Sequence, residues 1–278
     1  MNFQWRIIAT LFLILIAPLL FAGNKTMSIS YTDVGNGKPI VLIHAFPTDQ
    51  RLWKPQQDSL KSHFRVITLD LRGFGQSQTT NGDASTMTAY ADEVKQLLDH
   101  LHIKKAIIGG ESMGGYITLA FLQKYPDAVD GLILSDTQAI ADTQEIKDKR
   151  EANARDVLEH GTLNSINGFM TKALSANASD ATKKYLRNIL DSQPATAMAS
   201  ALRGMALRTD TSSLLANTTL PVLIITGDQD VLVSPQQSTN MHALAKNSKL
   251  VVIPNAGHLS SLEQSEKWNE AVTVFYSK

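Results

Sequence analysis

Short apolar runs recur along the chain in a pattern that suits buried β-strands. In the run 40–43, Ile-Val-Leu-Ile, both faces of a strand would be apolar, as in central strands that helices cover on both sides. Residues 27–33 instead alternate between apolar and polar types, and the Gly-Asn-Gly-Lys stretch at 35–38 tolerates positive φ. We therefore predict a hairpin with 39–44 as its return strand, followed by further strands over residues 64–70, 106–109, 131–135, 222–226 and 250–253.

The segments between these strands have helical spacing. Thr86 precedes an apolar stripe that runs through Tyr90, Val94 and Leu97, with the 3.6-residue repeat of a helix that packs on one face. Strand and helix alternate, which predicts an α/β fold: a mostly parallel, doubly wound sheet with ligand sites at the carboxyl ends of its strands. We assign this core to residues 27–136 and 218–278.

The alternation stops between residues 137 and 217. This segment is rich in Ala, Leu, Met, Lys and Glu and has no strand-like run, so we predict a helical cap, 137–217, inserted over the strand ends. Its Met170, Leu174, Met198 and Leu202 are candidates for lining an acyl pocket. Apolar residues at helical spacing more often pack in a core, and both interpretations stand at this point.

Composition narrows the function. A chain of 278 residues with 43% hydrophobic content can bury one large core. Lys plus Arg and Asp plus Glu both number 26, so the chain has no excess positive charge to neutralise phosphates, and nucleic acid is not an expected partner. The chain has no cysteine, which excludes disulfides, thiolate metal sites and a cysteine nucleophile.

The N-terminus has the pattern of a secretory signal. Arg6 precedes the apolar run 7–22, and no further charge follows until Lys25. This predicts a signal peptide over residues 1–22 with cleavage near Ala22, and thus an exported protein, periplasmic or secreted. The alternative is an uncleaved anchor, in which case this segment alone would contact the membrane.

Gly110-Glu111-Ser112-Met113-Gly114 lies between a predicted strand and a predicted helix. A sharp turn at that place lifts a serine clear of the sheet, and flanking glycines prevent clashes. The alternative is a glycine-rich connection without chemistry. No Gly-Lys-Ser/Thr sequence follows, which argues against a phosphate-binding loop. We predict Ser112 as a nucleophile.

A serine nucleophile needs a base that a carboxylate orients. His258 follows the last predicted strand, on the same edge of the sheet as Ser112. Asp230 follows the preceding strand and is the favoured acid; Asp136, at the end of an earlier strand, is its competitor.

Acyl transfer also needs donors for the oxyanion. We expect the backbone N–H groups of Met113 and Phe46 to serve, since Phe46 lies in the loop after strand 39–44 and the following Pro47 has no N–H. His44 is then expected to brace that loop. None of the histidines shows the spacing of metal ligands, so no metal is expected.

These motifs together resemble the α/β-hydrolase fold superfamily, most nearly small carboxylesterases, enol-lactonases and the cofactor-free haloperoxidase or perhydrolase group. The resemblance covers the chain after the signal and is carried by segments 44–47, 70–77, 110–115, 227–230 and 257–258. It implies a triad in the order Ser112, Asp230, His258, without cofactor or metal.

We therefore expect a serine hydrolase that cleaves small carboxylic esters through an acyl-enzyme on Ser112, with a small-molecule ester or lactone as substrate. Lactone hydrolysis, C–C bond hydrolysis of a dienoate and perhydrolysis are alternatives with the same triad. A ligand-binding protein without catalytic activity is the alternative from another class.

Overall fold

The computed structural model describes residues 29–277. The predicted signal segment, 1–22, and the first two residues of the predicted core lie outside the described residues.

The described residues contain one mostly parallel sheet with the strand order β1-β3-β2-β4-β5-β6-β7, in which only the β1–β3 pair is antiparallel. This confirms the predicted α/β-hydrolase fold class. The central strands are buried on both faces, as their continuous apolar runs predict. The strands are β1 (Tyr31–Val34), β2 (Lys38–Ile43), β3 (Phe64–Leu69), β4 (Ala106–Glu111), β5 (Val129–Ser135), β6 (Val222–Gly227) and β7 (Ser248–Ile253).

The predicted hairpin at the start of the core is wrong. β1 pairs with β3, where Tyr31 lies opposite Leu69. β2 has β3 on one edge and β4 on the other, so both of its hydrogen-bonding edges are occupied by parallel partners. The turn itself has the expected backbone, since Gly35 and Gly37 have φ of 79° and 105°. The chain turns there, but it crosses over β3 instead of pairing locally.

Helices cover both faces of the sheet. In α2, the side chain of Thr86 accepts a hydrogen bond from the Ala89 N–H at 3.1 Å, and the apolar stripe predicted after it is buried. The helices are α1 (Lys54–Leu60), α2 (Met87–His100), α3 (Met113–Lys124), α4 (Gln144–His160), α5 (Leu163–Ala173), α6 (Asp180–Leu190), α7 (Ala195–Ala206), α8 (Ser212–Asn217), α9 (Pro235–Leu244), α10 (Ser260–Glu263) and α11 (Ser265–Tyr276).

Five successive helices, α4 to α8, lie between β5 and β6, in the segment for which a cap is predicted. α4 and α7 pack against each other, and Arg203 of α7 binds Glu151 of α4 at 2.9 Å. Across residues 29–277, no helix has the length and apolar character needed to cross a membrane.

Candidate active site

Ser112 occupies the turn between β4 and α3 in a strained backbone conformation, with φ 55° and ψ −113°. Two glycines make that turn sterically possible. A Cβ at Gly114 would lie 2.1 Å from the carbonyl oxygen of Ile43, and a Cβ at Gly110 would lie 2.2 Å from the backbone of Gly114. The motif therefore forms the sharp strand-turn-helix that exposes a serine above the sheet.

Three side chains from three different loops form a hydrogen-bonded chain. His258 Nε2 lies 2.8 Å from Ser112 Oγ, and His258 Nδ1 lies 2.8 Å from Asp230 Oδ2. The other oxygen of Asp230 accepts backbone N–H bonds from Leu232 at 2.8 Å and Val233 at 2.9 Å. With Nδ1 donating to the carboxylate, Nε2 is placed to accept the serine proton.

The charges around His258 favour the protonated form of its imidazole. Burial of His258 disfavours its charged form, but the charge and hydrogen bond of Asp230 and the charge of Asp136 outweigh burial and raise the pKa of His258 above its ordinary value. The imidazole is thus stabilised as a proton acceptor, which is what a general base requires.

Asp136, the competing acid, has different partners. Its carboxylate accepts hydrogen bonds from Gly227 N at 2.7 Å, Ser135 Oγ at 2.9 Å and the hydroxyl of Ser260. Complete burial, together with nearby carboxylate charges, raises the pKa of Asp136 well above its usual range. Of the two candidate acids, the structure brings Asp230, not Asp136, within hydrogen-bond distance of His258.

A third buried carboxylate lies below the turn, and sequence reasoning missed it. Glu111 accepts hydrogen bonds from Ser261 N at 3.1 Å and Ser261 Oγ at 2.7 Å. Burial raises the pKa of Glu111 to about 7. The available signal was a charged residue at the end of an otherwise apolar strand. Within residues 29–277, no three His, Asp or Glu side chains are placed to hold a metal ion.

Of the two residues whose N–H groups are predicted to bind an oxyanion, one directly follows Ser112 and the other lies in the loop after β2. Met113 is the first residue of α3, and the first N–H groups of a helix have no intrahelical acceptor and lie at its positive end. Phe46 lies just beyond β2, and it lines the same cavity as Ser112. The positive end of α3 favours negative charge on an oxygen held beside Ser112.

His44 holds the loop that carries Phe46. Its Nδ1 lies 3.0 Å from the carbonyl oxygen of Ala45, and its Nε2 accepts a hydrogen bond from Leu71 N at 3.1 Å. The side chain is fully buried, and burial lowers the pKa of His44. A neutral imidazole therefore ties this loop to the segment after β3, which is the bracing role predicted for it.

A cavity of about 320 Å³ opens beside Ser112 and His258. Of the four cap residues proposed to line it, Leu202 does so, while Met170 and Leu174 line a neighbouring cavity that reaches Asp230. Met198 is fully buried in the core. Lining residues that the sequence did not reveal include Tyr116, Phe169, Met205 and Val233.

The loop that carries His258 is tied through Glu263 to the segment that follows α5. One oxygen of the Glu263 carboxylate accepts hydrogen bonds from Gly257 N and Ser175 N, both at 2.9 Å, and the hydroxyl of Ser175 binds the other. Leu259 N also donates to the Ala173 carbonyl oxygen at 2.9 Å. The residues on either side of the histidine are thus anchored to the segment around the end of α5.

Comparison with known proteins identifies the fold family of the chain. The sequence model of the alpha/beta hydrolase fold family matches residues 38–265. The chain is 30% identical to 3-oxoadipate enol-lactonase 1 of Acinetobacter baylyi, over 91% of this chain and 93% of that protein. An esterase from Thermogutta terrifontis has a TM-score of 0.86 at 36% identity, covering 88% of this chain and 92% of the esterase. A bromoperoxidase from Bacillus anthracis has a TM-score of 0.80 at 25% identity, with 90% and 95% coverage.

The match spans most of the chain, so the protein belongs to the α/β-hydrolase family. It is a hydrolase of that family, as the resemblance of its motifs predicts.

Proposed function

We propose that the protein is a serine hydrolase that cleaves small carboxylic esters through an acyl-enzyme on Ser112. The observation that supports this most directly is the continuous hydrogen-bonded chain from Ser112 Oγ through His258 to Asp230, with 2.8 Å at both links. A ligand-binding protein has no need of a strained serine in contact with an oriented base.

In the proposed mechanism, His258 Nε2 takes the proton of Ser112 as the hydroxyl oxygen attacks the ester carbonyl. The N–H groups of Met113 and Phe46 bind the oxyanion of the tetrahedral intermediate. The histidine then gives its proton to the leaving alcohol, and a water activated by the same histidine hydrolyses the acyl-enzyme. Asp230 keeps the imidazole in the required tautomer throughout.

The test is hydrolysis of p-nitrophenyl acetate by the wild type and by Ser112→Ala. We expect activity to fall by at least about a thousandfold, with the circular-dichroism spectrum and unfolding midpoint retained. Exposed Ser62 offers a matched control, because Ser62→Ala removes the same atom far from the site. Mass spectrometry after fluorophosphonate treatment should find the label on Ser112. Turnover that survives Ser112→Ala, or an unlabelled serine, would refute the nucleophile.

Lactone hydrolysis is the second candidate. The similarity to the enol-lactonase of Acinetobacter baylyi favours it, and the same serine chemistry opens a ring ester. Measuring kcat/KM for a series of linear esters and for a series of lactones of equal carbon number separates the two candidates. The series with the higher kcat/KM values identifies the substrate class, linear ester or lactone. C–C hydrolysis and perhydrolysis stay alternatives with the same triad.

We also propose that the protein is exported, on the strength of the signal-like pattern over residues 1–22. Intact mass measured after expression of the full chain, combined with cell fractionation, tests this. A mature protein that begins near residue 23 in the periplasm or medium supports cleavage. A full-length product in the membrane fraction supports the anchor instead, and a full-length product in the cytosol refutes both.

A further inference from the structure

The cavity beside Ser112 carries positive charge on the side supplied by the cap. Two consecutive cations of α4, Lys149 and Arg150, line it, and Asp142 is the carboxylate that lines it with them. The remaining walls are largely apolar or aromatic and include Phe46, Phe169 and Leu202. A mostly apolar cavity with positive charge on one side favours a ligand that is apolar along its length and negatively charged at one end.

The single negative charge of Asp142 is shared between two arginines. Its Oδ2 lies 2.6 Å from Arg150 Nε, and its Oδ1 lies 2.7 Å from Arg208 Nη2. Burial acts to raise the pKa of Asp142, but the hydrogen bonds and charges of these arginines outweigh burial and hold the pKa below its usual range. The carboxylate is therefore ionised at neutral pH. Two guanidinium groups against one carboxylate leave the cluster with a net positive charge.

Of the two arginines, Arg208 is the fixed one. Its side chain is 5% exposed, its guanidinium lies 4.1 Å from the ring centroid of Tyr116, and it also binds the carbonyl oxygen of Ile140. Arg150 differs, because 19% of its side chain is exposed. Its Nη1 faces the Met205 sulfur at 3.4 Å, and a thioether is a weak acceptor that an anion can replace.

Resting on the proposed function, we propose that the substrate is an ester or lactone that bears a carboxylate, and that Arg150 binds this carboxylate while Ser112 attacks the ester carbonyl. A guanidinium and a carboxylate form strong, directional paired hydrogen bonds. Asp142 holds Arg150 through Nε at 2.6 Å and, with a longer bond of 3.4 Å, through Nη2. Nη1, whose neighbour is the Met205 sulfur, is the nitrogen left for the substrate carboxylate. Lys149 is 73% exposed and pairs with Glu145 at 2.6 Å, so its charge is largely offset and Arg150 is the cation assigned to the substrate carboxylate.

The test compares two p-nitrophenyl esters of equal acyl chain length: the monoester of adipic acid, which is anionic, and the hexanoate, which is neutral. The measured quantity is the ratio of their kcat/KM values. We expect Arg150→Gln to lower that ratio by about 10- to 100-fold, the range expected for a lost hydrogen bond between charged groups. Arg150→Lys, which keeps the charge, should restore part of the ratio.

Arg155→Gln is the matched control. Arg155 lies on the same helix and 63% of its side chain is exposed, but it does not line the cavity. The substitution removes the same charge, so it should leave the ratio within about twofold of wild type. An unchanged ratio in Arg150→Gln, or equal falls in Arg150→Gln and Arg155→Gln, would overturn the proposal.

Binding measurements separate this proposal from the proposed function. Calorimetric titration of Ser112→Ala with adipamic acid and with hexanamide needs no turnover. We expect adipamic acid to bind at least about tenfold more tightly, and the added change Arg150→Gln to remove the difference. If neither ester is hydrolysed but this preference is found, the proposed function fails and the anion site stands. If both esters are hydrolysed and no preference is found, the anion site fails and the proposed function stands.

Discussion

Burial of the Glu111 carboxylate makes the stability of the fold depend on pH. The pKa of Glu111 is about 7 in the folded protein, against an ordinary value of 4.5. A carboxyl group with a higher pKa in the folded state binds more protons when folded, so its contribution to stability is lost as pH rises between the two values. At about 1.4 kcal/mol for each pKa unit, the loss across this window is about 3 kcal/mol.

Glu111→Gln isolates that contribution. The amide keeps the shape of the side chain, and it can accept from Ser261 N and donate to Ser261 Oγ. Because glutamine does not ionise, the variant does not lose this unfolding free energy as the pH rises. The unfolding free energy of Glu111→Gln minus that of wild type should rise by about 3 kcal/mol between pH 4.5 and pH 8.

Urea unfolding at several pH values measures this difference. The exposed Glu159 supplies the control: Glu159→Gln makes the same chemical change on the surface of α4, and its difference from wild type should stay flat within about 0.5 kcal/mol. If the Glu111→Gln difference is equally flat, Glu111 titrates near its ordinary value and the reasoning from burial is refuted.

Three further predictions concern the candidate site. Asp230→Asn should lower kcat by about 10³- to 10⁴-fold, whereas Asp136→Asn should keep activity within about tenfold, and the opposite order in steady-state assays would make Asp136 the orienting acid. The pKa of His258 is raised and the base must be neutral, so kcat/KM should fall with decreasing pH through a value above the ordinary 6.5; a pH profile that is flat down to pH 5 would contradict this. Gly114→Ala places a methyl group 2.1 Å from a backbone oxygen of β2 and should lower the unfolding free energy by about 3 kcal/mol or more. Gly168→Ala, with open space around it in α5, should raise it slightly in the same urea titration, by about 0.5 to 1 kcal/mol.

The sequence predicted those parts of the molecule whose physics is local. The apolar runs place the strands correctly, and the stripe after Thr86 places α2. The hydrophobic pattern that identifies a buried strand or helix face lies within the residues of that element. Ser112 could be found for the same reason, since its turn depends on glycines within the motif itself. The hairpin prediction failed because strand pairing is not local: the partner of β1 is β3, and both edges of β2 are taken by strands from later in the chain.

The features that sequence reasoning missed arise where distant residues meet. Glu111 and Ser261 are 150 positions apart in the chain, and neither residue alone indicates a buried carboxylate site. Arg150 looks like one cation among several on a polar helix. Its position becomes apparent only when α4 packs on α7 and brings Met205 against its guanidinium. The burial and charge balance of a side chain depend on such contacts between distant residues, and these contacts cannot be predicted from a single sequence.

The contacts of Glu263 bear on how substrate preference could be re-engineered. Exchanging residues 144–217 for the corresponding helices of a relative would replace the part of the cavity wall that these helices supply, while leaving Ser112 and its partners unchanged. The graft would also replace Ser175, which donates to Glu263 through both its N–H and its hydroxyl. A chimaera that lacks a hydroxyl at position 175 would leave one oxygen of the Glu263 carboxylate without its hydroxyl partner, beside the histidine loop. An exchange of these helices therefore preserves the contacts of the histidine loop only if a serine is kept at position 175.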